Sequence, residues 1–95
     1  MTSLTRFETL NAARYLGKLC EHFGRKVEVH AGADAGWVKF PFGHCEMKAD
    51  ARCLEFRATA PDAEGLAMVV HVVTSHLERY AFRENPSLDW QTITH

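Results

Sequence analysis

From Val27 to Ala58 the chain switches between apolar and polar side chains at every residue, in four successive runs. A period of two is the signature of β-strands, because neighbouring side chains on a strand point to opposite faces. Val27, Val29 and Ala31 alternate with Glu28 and His30, and Val38 and Phe40 with Trp37 and Lys39. Cys45, Met47 and Ala49 alternate with His44, Glu46 and Lys48, and Leu54, Phe56 and Ala58 with Cys53, Glu55 and Arg57. Residues 32–36, Pro41-Phe42-Gly43 and Asp50-Ala51-Arg52 supply the turns between them. Gly43 is expected there with a positive φ, which glycine adopts without steric cost. Strands with one apolar and one polar face form an antiparallel sheet that is covered on one side only.

Two helices are available as the cover. Leu16, Leu19, Cys20 and Phe23 recur at helical spacing, with Asn11 in place to cap the start and Gly24 to end the segment. This predicts a helix over residues 12–23, with Arg14, Lys18 and Glu21 on its wet side. A second stripe of Leu66, Val69, Val70, Val73 and Leu77 predicts a helix over residues 62–83. At 1.5 Å per residue it is roughly 33 Å long, against about 17 Å for a five-residue strand. Its end overhangs the sheet and needs Leu88 and Trp90 to pack on. Residues 5–8 make a short first strand. The order β-α-β-β-β-β-α gives an α+β fold, a two-layer sandwich. Its antiparallel sheet has four to five strands, with both helices packed on one face.

A chain of 95 residues is read as a single domain over residues 1–95, with an adequate but thin core. Its formal net charge is −1, with basic and acidic residues interleaved, which argues against a nucleic-acid partner. No apolar run reaches the length of a membrane helix, and the first residues lack the apolar core of a signal peptide. Cys20, Cys45 and Cys53 are odd in number and irregularly spaced, so reduced thiols and a cytoplasmic location are expected.

Several strings together resemble one family. They are Arg14-Tyr15-Leu16, His22-Phe23, the run from Phe40 through Pro41, Phe42, Gly43 and His44 to Cys45, the run from His76 to Glu84, and Asp89-Trp90. In combination they resemble the bacterial domain of unknown function numbered 2218, from about Thr5 to Gln91. Tyr80 stands where that family more often has phenylalanine. The resemblance implies a small stand-alone bacterial protein. Similar domains occur joined to siderophore-interacting ferric reductases, which implies an association with iron handling. The family brings no catalytic residues to transfer.

Three groups of residues carry candidate chemistry. A thiolate and two imidazoles from Cys45, His22 and His76 make a set suited to zinc, copper or iron, and so to a metal ion as cofactor. The plain alternative is that all three pack or hydrogen-bond in the core, where free cysteine often fills space. Arg25, Lys26, Arg79 and Arg83 form a cationic group for an anionic ligand such as a siderophore or metabolite. The alternative is that Arg79 and Arg83 complement a helix end and pair with Glu78 and Glu84. His30, Trp37, Lys39 and His44 lie on the open sheet face, where an exposed tryptophan suits a partner surface or a homodimer. The alternative is a solvated face with Trp37 across the lysine stems.

Catalysis is the least supported class. There is no glycine-rich phosphate loop and no Gly-x-Ser-x-Gly elbow. His71 and His76 lie about 140° apart around a helix, not on one face. The expected function is a non-enzymatic accessory or ligand-binding protein linked to iron and siderophore metabolism. The competing expectation is an interaction or homodimerisation module working through the open sheet.

Overall fold

The computed structural model describes residues 1–93. Six strands and two α-helices follow the chain as β1 (Thr2–Glu8), α1 (Ala12–Phe23), β2 (Glu28–Ala31), β3 (Ala35–Phe40), β4 (Gly43–Ala49), β5 (Cys53–Thr59), α2 (Ala63–Tyr80) and β6 (Gln91–Ile93). A 3₁₀ turn, Phe82–Glu84, follows α2. All strands join one antiparallel sheet in the order β2-β3-β4-β5-β1-β6. Both helices pack on one face, as the alternation requires.

The four alternating runs form a meander in register. Val38 pairs with Cys45, Cys45 with Ala58, and Met47 with Phe56, so apolar side chains from three strands stack in rows under the helices. Val38, Cys45, Leu54 and Ala58 are fully buried there. Leu16 and Leu19 of α1 and Val69, Val73 and Leu77 of α2 close the core from above. Burying a side chain of this size stabilises the fold by roughly 1.5–3 kcal/mol each before entropy is counted.

The sheet is wider than four or five strands. β1 begins at Thr2 rather than Thr5 and pairs along its whole length with β5, from Thr2↔Thr59 to Glu8↔Cys53. The tail adds β6 on its other side, with Leu4 opposite Gln91. β6 was not foreseen because three residues are too short to show a period. The chain must therefore cross from β1, near one edge, to β2 at the other, and α1 spans that distance.

Helix ends differ from expectation in three places. The Asn11 side chain does not cap α1. Its Nδ2 donates to Glu84 Oε2 at 3.2 Å, while the Thr9 hydroxyl accepts from the Asn11 amide at 3.0 Å. Gly24 does follow α1, with a right-handed φ of −62°. The second helix starts one residue after Asp62, whose carboxylate accepts from the Gly65 amide at 2.7 Å, and it ends at Tyr80 rather than Arg83. The reversal falls on Asn85, which has a φ of 51°. The tail then runs back beside α2. Trp90 Nε1 donates to Thr74 Oγ1 at 2.9 Å, and the indole lies 6.1 Å from the Phe56 ring.

Gly43 has no positive φ. It is glycine for lack of room: a Cβ would lie 2.6 Å from the Thr59 carbonyl oxygen and 2.9 Å from Val69 Cγ2. That close approach lets α2 sit down on the start of β4.

Candidate functional site

α1 ends and α2 passes close to it, and this crossing brings the two predicted histidines together. The His22 and His76 ring centroids are 4.7 Å apart. Phe23 contacts both rings, at 5.7 Å and 4.8 Å, and the Tyr80 ring stands 6.1 Å from His22. The pair arises because His22 is one residue off the buried stripe of α1, and His76 is one residue before Leu77 in the stripe of α2. Each ring is half-buried at the seam.

His76 is oriented by its own helix. Its Nδ1 lies 2.7 Å from the Val72 carbonyl oxygen, which only accepts, so Nδ1 is the donor of that bond. His22 is held below the ordinary imidazole value, first by burial and then by positive charge from His76, Arg25, Arg79 and Lys26. Arg25, Lys26 and Arg79 all act on His22 with positive charge. Arg83 stands apart on the 3₁₀ turn, with its guanidinium 5.7 Å from the Phe82 ring.

A cleft of about 240 Å³ opens beside His22 and is lined by Lys18, Glu21, His22, Arg25 and Tyr80. Lys18 reaches over the Tyr80 ring at 5.9 Å. Lys18, Glu21 and Tyr80 were not singled out as site residues. The signal was present, since Lys18, Glu21, His22 and Arg25 follow at i, i+3, i+4 and i+7 and share one helical face.

Cys45 does not complete a metal centre with the histidines. Among the described residues no three of His, Cys, Asp and Glu are grouped to hold a metal ion. Cys45 sits in the middle of the sheet with 0% exposure, and its thiol faces the Glu46 carbonyl oxygen at 3.6 Å. Burial pushes the thiol up to about 12, so the thiolate that a metal or a nucleophile needs is disfavoured. Cys20 and Cys53 are also free and buried.

The open face carries the third predicted group. His30 and Trp37 are cross-strand partners and stack at 6.0 Å with an interplanar angle of 22°. Lys39 lies opposite Glu28 on one side and half-buried His44 on the other. A shallow hollow of about 1020 Å³ spreads over this face from Trp37 and Glu46 to Arg57 and Leu4.

A one-sided six-stranded antiparallel sheet under two helices, with a cleft lined by Lys18, Arg25 and His22 where the helices meet, defines a small α+β domain. The chain belongs to a family described as uncharacterized protein conserved in bacteria (DUF2218), whose model matches residues 4–91. It is similar to the protein in the NMR structure of PA4090 from Pseudomonas aeruginosa. The two are 33% identical with a TM-score of 0.85, over 99% of this chain and 98% of that one. No curated protein matches the chain. No helix among the described residues is long and apolar enough to cross a membrane.

Proposed function

We propose that this domain is a non-enzymatic binding protein for a small anionic ligand, taken at the cleft between the ends of α1 and α2. The observation that carries this reading is the His22–His76 ring pair, 4.7 Å apart, with His22 lining one cleft together with Lys18 and Arg25. Protonating His22 beside positive charge is unfavourable, and an anion in the cleft reverses the sign of the effect. Lys18 and Arg25 line the same opening and supply charge-assisted donors. Glu21 borders it too and selects for ligands with a donor of their own, such as a hydroxyl beside a carboxylate or phosphate.

The iron and siderophore association implied by the family resemblance fits this reading through charge, since siderophores are commonly anionic. The ligand then carries its own metal, and Cys45 has no part in holding it.

Inorganic phosphate and citrate, titrated into isotope-labelled protein, test the proposal. Saturable shifts at Lys18, His22 and Arg25 are expected. The affinity should strengthen as pH falls through the imidazole range, and the His22 midpoint should rise in the complex. Arg25→Ala should abolish the response while the rest of the spectrum is retained. Shifts that do not saturate, or that survive Arg25→Ala, sink the reading.

A further inference from the structure

We propose that the open sheet face is the contact surface of a homodimer, with a twofold axis running along the strands between β4 and β5. One row of side chains across the sheet carries the argument. The register places His30 opposite Trp37, Trp37 opposite Glu46, Glu46 opposite Arg57, Arg57 opposite Leu4 and Leu4 opposite Gln91. All six are exposed. The row's midpoint falls between Glu46 and Arg57.

A twofold axis at that midpoint, parallel to the strands, sets each member of the row against its mirror position in the partner. Glu46 then faces the second copy's Arg57, and Arg57 faces its Glu46. Trp37 faces Leu4, and His30 faces Gln91. The four charges at the centre form a square in which every side joins opposite signs. The central pair of the next row is arranged likewise: Lys48 and Glu55 are cross-strand partners astride the axis, so each meets its opposite in the second copy, while Arg6 on the outer side of Glu55 is paired with Glu55 in its own chain at 3.6 Å. Lysine or arginine meets glutamate at every charged position of these two central pairs. Opposite charges on paired strands also stabilise the sheet of a single chain, and about this axis the same two pairs are complementary to a second copy as well.

Shape supports the same axis. Sheets twist with a fixed hand into a saddle. A twofold along the strands carries that saddle onto a parallel copy of itself, so two twisted faces stay in contact across their width in an aligned packing. The exposed Trp37 and Leu4 flank the central charges, and the partner's copies of both fill the hollow over the face. Charge pairs add little net affinity when desolvated but set register, while the indole and leucine bury apolar area.

Size makes the dimer reversible. Five gaps of about 4.8 Å by roughly 20 Å of strand is about 500 Å² per face before relief is counted. Two faces then bury on the order of 1,000–1,200 Å², the low end for specific association.

Sedimentation equilibrium of the full chain tests this, with backbone NMR spectra to verify folding. The wild-type mass should rise with concentration toward twice that of the chain. Glu46→Arg makes the central square wholly positive and Arg57→Glu makes it wholly negative, so each variant alone should dimerise at least roughly tenfold more weakly. Mixed together, the two variants should form a heterodimer, because both central contacts between the chains again join opposite charges, while the like-charged pair within each chain is the same as in the separate variants. Trp37→Ala should weaken the wild-type dimer by a similar factor. A wild-type chain that stays monomeric at millimolar concentration overturns the proposal and leaves the face to a different protein. A dimer that ignores all three substitutions, or variants that fail to associate on mixing, overturns it as well.

Discussion

The Glu84 carboxylate accepts the Tyr15 hydroxyl across 69 residues of chain. It also accepts from Thr9 Oγ1 at 2.6 Å and from Asn11 Nδ2 at 3.2 Å. One side chain on the 3₁₀ turn thereby fastens the C-terminal tail to the start of α1. Glu84→Gln should lower stability by about 1 kcal/mol, with solvent exposure keeping the figure low, and Glu84→Ala by somewhat more. Chemical denaturation checks the difference.

The same contact shapes both ends of the pH profile. Hydrogen bonds from Thr9, then Tyr15 and Asn11, hold the Glu84 carboxyl below the ordinary value. A depressed carboxyl contributes stability that is complete above its unfolded value and is lost as pH falls through the folded one. The bond to Glu84, with burial, holds Tyr15 above the ordinary phenol value. Its contribution is complete below the unfolded phenol value and is lost as pH rises through the folded one. Glu84→Gln should flatten the acid limb near the glutamate range, measured as thermal midpoint against pH.

Cys45 should be inert in the native state. Its thiol has no exposure and is pushed up to about 12 by burial. Iodoacetamide at neutral pH should leave it unmodified in folded protein and alkylate it fully in denaturant, read by mass spectrometry. Rapid native labelling of Cys45 would contradict the core position described above.

Gly43→Ala should cost stability although its backbone is ordinary. The new methyl must displace the Thr59 carbonyl or the Val69 side chain, at about 1–3 kcal/mol for overpacking of this kind. A melt indistinguishable from wild type would mean that α2 can lift off β4 freely.

Ser3 offers the opposite case. Its hydroxyl is buried on the helix side of β1 without a hydrogen-bond partner among the described residues. An unsatisfied buried polar atom is costly, so Ser3→Ala should be neutral or stabilising by up to about 1 kcal/mol. A clear destabilisation would show that the hydroxyl is bonded after all.

The two-residue alternation from Val27 to Ala58 was enough to specify four strands, their faces and the one-sided cover. The reason is local: a strand's period assigns each side chain to a face without reference to any other element. The helix over residues 12–23 was legible for the same reason, through its own period of 3.6. Trp37 was legible as an exposed aromatic because strand parity alone places it, whereas Arg25, Lys26 and Arg79 come from two different places in the chain, the turn after α1 and the end of α2.

What the tertiary structure decided was adjacency. Nothing in the residues around Thr2 states that β1 pairs with β5, or that Gln91–Ile93 returns to its far side. Those pairings depend on which edge is left free once the meander and α1 are packed. The expectation that Cys45 joins His22 and His76 failed on the same ground. Facing the helices is a property of strand parity, but whether a thiol reaches the half-exposed rings of His22 and His76 depends on how the helices close over the sheet, and here they seal Cys45 off completely. Sequence period settles direction, and only long-range packing settles distance.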